Sequence, residues 1–100
     1  MASGSPDWHA RGITTASNDE QLRIAAVAGD NSSAFAQECQ AMIVYNDGPN
    51  PIHYRRNAVA TVNNFLIPAK AWVMIDVPVT TPHFFLSAGH TATIYIYGVF

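Results

Sequence analysis

Several short stretches of this chain alternate apolar and other side chains with a period of two. The most regular stretch, residues 91–99, sets Ile94 and Ile96 against Tyr95 and Tyr97. Because successive side chains of a strand point to opposite faces, this period predicts β-strands. For residues 21–29 a short helix stays open as an alternative, because alanine favours helices. The predicted strands cover residues 21–29, 41–45, 52–55, 72–77, 83–86 and 91–99, with a shorter apolar run at 63–68.

Turn-forming residues separate the predicted strands. Residues 29–33, 46–51 and 87–90 contain the Gly, Pro, Asn, Asp and Ser residues that supply the backbone angles and local hydrogen bonds of turns. We therefore predict turns at these three places. We also predict a hairpin with a wide loop between the strands at 41–45 and 52–55.

Short strands about 8 to 12 residues apart, broken by glycine and proline, are typical of a sandwich or a barrel. We predict an all-β fold, a small antiparallel β-sandwich over residues 19–100, and the sequence leaves open whether its topology is a jelly roll. Residues 56–64 are expected to form a connection that includes a short strand. Pro78 and Pro82 favour a sheet edge or a bend.

The first 18 residues predict an extended N-terminal arm. They are rich in Ala, Ser, Gly and Thr, with Trp8 as their one Phe, Tyr or Trp, and they cannot bury enough apolar surface to order themselves alone. Either neighbouring subunits hold the arm through Trp8, or the arm folds back onto its own domain. Residues 1–12 have no apolar run and no basic leader, and the chain has no stretch of about 18 apolar residues, so we expect neither a targeting signal nor a membrane span.

The composition suggests that part of the surface is covered by a partner. Charged residues make up only 12% of the chain and hydrophobic residues 49%, whereas soluble domains typically carry about 25% charged residues. Large exposed apolar patches usually mark interaction sites, so we expect a homo-oligomer, with a weakly charged monomer as the alternative. The last strand is uncharged on both faces, which fits subunit packing or, equally, the core of a single sandwich.

The charges and the single cysteine exclude several classes of function. The net charge is −2, and among the five Lys and Arg residues only Arg55 and Arg56 are adjacent. Without a basic stripe we expect no binding to nucleic acid and none to an anionic membrane. Cys39 is the only cysteine, so neither an intrachain disulfide nor a cysteine-based zinc site can form, which fits assembly in a reducing cytoplasm.

Signals for catalysis and for metal binding are absent from the sequence. His9, His53, His83 and His90 show no metal-ligand spacing. The adjacent carboxylates at 19–20 would point apart on a strand, and no nucleotide-binding or nucleophile motif occurs. We therefore predict a protein that is not an enzyme and that uses neither a cofactor nor a metal ion.

A pattern of turns resembles one found in small structural proteins of tailed bacteriophages. Residues 43–55 read Ile-Val-Tyr-Asn-Asp-Gly-Pro-Asn-Pro-Ile-His-Tyr-Arg, residues 65–69 read Phe-Leu-Ile-Pro-Ala, and residues 85–96 read Phe-Leu-Ser-Ala-Gly-His-Thr-Ala-Thr-Ile-Tyr-Ile, with Asp-Val at 76–77. Lys70 stands where the pattern has glycine. The resemblance covers residues 42–98 and implies a capsid decoration (cement) protein or a head, neck or tail accessory protein, many of which are trimers.

The leading hypothesis from the sequence is a capsid decoration protein. It would be made in the host cytoplasm, bind the major capsid protein on the outer shell as an oligomer, and stabilise the shell by bridging capsid subunits. The resemblance implies that this oligomer is a trimer. The alternatives are a neck, tail or fibre-adaptor protein, and a carbohydrate-binding module that stacks sugars on Trp72, Tyr54, Tyr95 or Tyr97. The residues expected to contact partners are Trp8, Arg11, Arg55, Arg56, Tyr95, Tyr97 and Phe100.

Overall fold

The computed structural model describes residues 18–100 as an all-β fold. Residues 1–17 lie outside the described range, and with them the predicted contact residues Trp8 and Arg11. No helix in the described part of the chain is long and apolar enough to cross a membrane. The strands are Asp19–Ala26 (β1), Gly29–Ser32 (β2), Ala41–Pro49 (β3), Ile52–Arg56 (β4), Phe65–Ile67 (β5), Trp72–Ile75 (β6), Pro82–Leu86 (β7) and Ala92–Val99 (β8).

The strands form two antiparallel sheets of four strands each. The first sheet has the order β1-β8-β3-β6 and the second the order β2-β7-β4-β5. The pairs β1·β8, β2·β7, β3·β6 and β4·β5 are the partners expected if one long hairpin is rolled up, which is the jelly-roll arrangement. The predicted β-sandwich is confirmed, and the strand order settles the topology that the sequence left open.

The core lies between the two sheets and follows from the period of two along each strand. Ile94 and Val44 of the first sheet and Phe84 and Ile52 of the second are fully buried. Each such side chain contributes about 1.5–3 kcal/mol relative to an exposed position. At one end, Gly98 lies against the buried ring of Phe35: a Cβ at that position would come within 2.7 Å of the ring carbons.

Two of the predicted turns differ from the structure. Gly29–Ser32, predicted as a turn, is strand β2. The Asn31 side chain accepts the Val27 N–H and donates to the Val27 carbonyl, so the turn closes two residues earlier than predicted. The hairpin predicted between residues 41–45 and 52–55 is wrong, because β3 pairs with β6 and β8 while β4 pairs with β5 and β7.

The chain crosses from one sheet to the other after β3, and Asn46 holds the crossing. This side chain is fully buried; its amide donates to the carbonyls of Asn50 and Ile67, and its Oδ1 accepts from the Gly48 N–H. Turn residues that would close a hairpin elsewhere therefore connect two layers here. The short strand predicted within residues 56–64 does not form: Arg56 ends β4, and residues 57–64 are a loop.

Candidate binding face

The outward side of the first sheet carries a row of large side chains that we call the aromatic row: Arg23, Tyr95, Tyr45 and Trp72. Arg23 pairs with Tyr95, Tyr95 with Tyr45, and Tyr45 with Trp72, so one residue from each of β1, β8, β3 and β6 lies side by side. Neighbouring strands are about 4.8 Å apart, and the row therefore spans about 14 Å. Three adjacent rings and one guanidinium face away from the core.

The two outer rings of this row are open to solvent. Trp72 is 53% exposed and Tyr95 is 43% exposed. The Arg23 guanidinium carbon lies 5.9 Å from the centre of the Tyr95 ring, which is within cation–π distance. At an exposed site such a contact is worth about 0.5–1 kcal/mol. It holds the cationic group over the ring.

A second row follows the first on the same face, formed by Gln21, Tyr97, Ile43 and Met74. A shallow groove of about 310 Å³ lies between the two rows. It is lined by side chains of both rows, among them Tyr45, Tyr95 and Tyr97. Its volume is at the lower end of what a small ligand requires, and it opens widely onto a flat surface.

Two polar contacts lie at the margins of this face, one to Tyr97 and one between Lys70 and Asp47. The Tyr97 hydroxyl donates to Asp19 Oδ2 at 2.9 Å, and this bond raises the pKa of Tyr97. The Lys70 ammonium donates to Asp47 Oδ1 at 2.9 Å; this bond lowers the pKa of Asp47, with a smaller contribution from Tyr45, and raises the pKa of Lys70. Both members of this pair are solvent-exposed, so it adds little stability.

The outward side of the second sheet is covered instead by a loop of the chain itself, residues 57–64. Asp30 Oδ1 accepts the Ala60 N–H at 2.9 Å, and the His53 ring donates to the Asn64 carbonyl at 3.0 Å. The Arg55 guanidinium donates to the Val59 carbonyl. Because Asp30 lies on β2 and His53 on β4, the loop crosses the strand between them, β7.

The structure separates the predicted contact residues. Tyr95 and Tyr97 lie on the outward face of the first sheet. Arg55 and Arg56 are exposed at the end of β4, where each guanidinium bonds a backbone carbonyl of the chain, Val59 for Arg55 and Pro78 for Arg56. Phe100 packs edge-to-face on the Phe35 ring with the ring centres 6.0 Å apart, and it is partly buried.

One residue predicted to stack sugars, Tyr54, faces the core, and one residue of the outward face, Tyr45, was not predicted to bind a partner. Tyr54 is 8% exposed and faces the core against Phe84, with its hydroxyl buried and without a partner, so it cannot stack a ligand. Burial strongly raises the pKa of Tyr54. Tyr45 joins the aromatic row; its alternation with Val44 could have identified an outward ring, but the β3·β6 pairing that sets it beside Trp72 could not be read from the sequence.

The described residues supply groups for binding but no cluster for metal chemistry. Within residues 18–100 no group of three or more His, Cys, Asp or Glu side chains could hold a metal ion. Cys39 is buried, and burial raises the pKa of its thiol, which keeps it protonated and unreactive at neutral pH. The aromatic row places three rings side by side on one outward face, which suits it to binding a partner.

Comparisons with known proteins identify no relative of this chain. Scans against protein-family models, against curated proteins and against solved structures find no match to this chain.

Proposed function

We propose that this chain is a virion structural protein, a capsid decoration subunit that binds the outer shell of a tailed bacteriophage through the aromatic row. The observation that carries the proposal is the row itself: Arg23, Tyr95, Tyr45 and Trp72 placed side by side and outward on a flat sheet. Arg, Tyr and Trp are the residue types that dominate the energy of protein–protein interfaces.

The shape of the face supports a macromolecular partner. A sheet surface with only shallow grooves can meet another flat subunit over a wide area, whereas a small ligand is usually enclosed by a deeper pocket. Rings with two rotatable bonds lose little conformational entropy when a partner orders them. The partner proposed is the major capsid protein, and a second copy of the chain at a symmetry axis, as in a trimer, would extend the covered area.

Low charge is consistent with the same interpretation. With 12% charged residues, this domain has few groups whose desolvation would oppose association. Buried apolar area at a subunit joint contributes about 25 cal/mol per Å² before the costs of association are subtracted. A decoration protein stabilises a shell by supplying such area across the joints between capsid subunits.

The test is saturable addition of the purified full-length chain to undecorated shells of the phage that encodes it. Trp72→Ala and Tyr95→Ala should each weaken binding about tenfold or more, as expected for residues at the centre of an interface. Phe65→Ala is the matched control, because this ring is 58% exposed on the second sheet. Shells that bind no protein, or a Phe65 variant that binds as poorly as the Trp72 variant, would contradict the proposal.

A carbohydrate-binding module is the second candidate, and the adjacency of Trp72, Tyr45 and Tyr95 favours it specifically. Aromatic rings on a flat face can stack on the apolar faces of sugar rings, and Gln21 in the next row could hydrogen-bond their hydroxyls. A glycan array probed with the full-length chain and with Trp72→Ala separates the candidates. The protein is a carbohydrate-binding module if it binds defined glycans, if Trp72→Ala abolishes that binding, and if phage shells take up no protein.

A further inference from the structure

Of the four strands that lie at the sheet edges of the described residues, β6 has the least protection against pairing with another strand. β1 carries Asp19, Glu20 and Arg23. β2 carries Asp30, and β5 has three residues and is followed by Pro68. β6 reads Trp-Val-Met-Ile, without a charge, a proline or a glycine. Because charges, prolines and shortness are features that protect an edge, β6 offers an open edge in this part of the chain.

The hydrogen bonds between β3 and β6 determine which backbone groups of β6 face this open edge. The Asn46 N–H donates to the Ala71 carbonyl, and in an antiparallel ladder hydrogen-bonded pairs alternate with non-bonded pairs. Val73 therefore directs its N–H and C=O groups to β3, whereas Trp72 and Met74 direct theirs to the open edge. Within residues 18–100 no strand pairs with these outward groups. Each of the two residues thus offers one donor and one acceptor to a further strand.

We propose that the open edge of β6 pairs with the same edge of a second copy of the chain, antiparallel about a twofold axis through Val73. An axis perpendicular to the sheet keeps outward side chains outward in both copies, so paired residues must share a face. Trp72 then lies opposite Met74 of the second copy, and the two residues exchange both of their N–H···O bonds. This register uses every outward group of the two residues. A shift of two residues in either direction would pair one of them with a residue beyond the ends of β6.

The side chains around this edge suit the same partner. β5 and β6 carry no charge, so two copies of this side can meet without placing like charges opposite each other. In or next to these strands, Phe65 is 58% exposed, Leu66 49%, Trp72 53% and Val77 45%. The two aromatic side chains supply about 200 Å² per copy, whereas a standard interface buries about 800 Å² per partner. The pairing therefore predicts a weak dimer that forms at micromolar concentrations.

Pairing at this edge would join the first sheets of two copies into one sheet of eight strands. The aromatic row of one copy would continue into the second row of the other, with the Trp72 ring beside the Met74 sulfur, a favourable contact. The inference does not depend on the proposed function, because it uses the backbone edge of the sheet and not its outward face. It makes a dimer, so the trimer that the resemblance implies would need a different surface.

Cysteine cross-linking in the full-length protein tests the register. Val73→Cys places two thiols across the axis in a non-bonded pair whose Cα atoms lie about 4.5 Å apart, a distance that a disulfide spans. Met74→Cys is the matched control, because its two copies lie about 8 Å apart along a diagonal, too far for a disulfide. With oxidised glutathione, Val73→Cys should form a linked dimer on non-reducing gels about tenfold faster than Met74→Cys, while the buried Cys39 reacts slowly. A folded Val73→Cys that stays monomeric, or equal cross-linking of both variants, would overturn the inference.

Sedimentation of the full-length chain provides a second, independent readout. The Met74 N–H faces the open edge, so Met74→Pro removes no bond to β3, and proline is tolerated at such an edge position. The wild type should dimerise with a micromolar Kd, Met74→Pro should weaken dimerisation about tenfold or more, and Met74→Leu should retain it. Methyl spectra of the core verify that Met74→Pro is folded. A wild type that stays monomeric up to about 1 mM, or a folded Met74→Pro that dimerises as tightly as the wild type, would overturn the inference.

Discussion

The two outer faces of this sandwich are built from similar strands but differ in what covers them. On the second sheet, Asp30 and His53 bind the backbone of residues 57–64, so the chain covers its own face with polar contacts. On the first sheet, Trp72 and Tyr95 stay exposed, and in the described range no loop crosses them. A loop held by directional hydrogen bonds crosses the second face, although Val59 and Val62 of that loop stay exposed, whereas the first face presents a row of rings that no described loop crosses.

The contrast separates stability from adhesion in physical terms. Buried hydrogen bonds to backbone groups stabilise the fold, because a backbone donor that loses its partner must be left unsatisfied. An exposed ring contributes little to folding stability because it stays in contact with water, and its apolar area contributes free energy only when a partner covers it. Substitutions on the two faces should therefore change different observables.

The largest difference is expected between Phe85→Ala and Trp72→Ala. Phe85 lies on the covered face, half-buried and 6.3 Å from the His53 ring, so its removal should lower the free energy of unfolding by about 2 kcal/mol. Trp72 is 53% exposed, and its removal should cost less than about 1 kcal/mol. Denaturant titrations of both variants give the two values, and equal losses would erase the contrast between the faces.

Each face also carries an aspartate, and the loss of stability on removing each carboxylate can be compared. Asp30 binds the N–H of the buried Ala60 and accepts from the His83 ring at 2.8 Å, so Asp30→Ala should destabilise the protein by about 1–2 kcal/mol and expose residues 57–64 to proteolysis. Asp47→Ala breaks the exposed pair with Lys70 and the weaker hydrogen bond with Tyr45, and it should change stability little. Asp30→Asn retains an acceptor for Ala60 and should fall between them. Resistance of Asp30→Ala to proteases would show that the loop is held by other contacts.

The sequence predicted strands well and their partners poorly. The period of two located the strand from Ala92 to Val99, because alternation is local and needs no partner. Which strand lies beside which depends on where distant segments meet, so the contact between β3 and β6, and with it the aromatic row, was not accessible. The glycine expected at position 70 has a physical basis: Lys70 adopts a φ of 65°, a left-handed conformation that glycine accepts without strain.

A smaller effect is expected at Asn57, where the covering loop begins. Its Oδ1 accepts the N–H groups of Thr80 and Thr81 at 2.9 Å each, and its φ is 55°. Asn57→Gly keeps this backbone conformation but removes the acceptor, so it should cost about 1 kcal/mol in thermal or denaturant unfolding. Asn57→Asp retains both properties and serves as the control. A loss in Asn57→Asp as large as in Asn57→Gly would mean that the side-chain acceptor does not anchor the loop.

The smallest effect concerns the open face and appears only in alkaline solution. The hydrogen bond to Asp19 raises the pKa of Tyr97 above its ordinary value of 10.0, so folding favours the neutral hydroxyl. This contribution is complete below about pH 10 and is lost as the pH rises through the raised folded-state pKa. Stability of the wild type should therefore fall more steeply above pH 10 than that of Tyr97→Phe in denaturant titrations at stepped pH. The pKa values of Cys39 and Tyr54 are also raised, by burial, so both proteins decline and only the difference between their slopes reports Tyr97. Tyr54→Phe should remove a different part of the slope, and parallel curves for wild type and Tyr97→Phe would show that Asp19 does not hold the hydroxyl in solution.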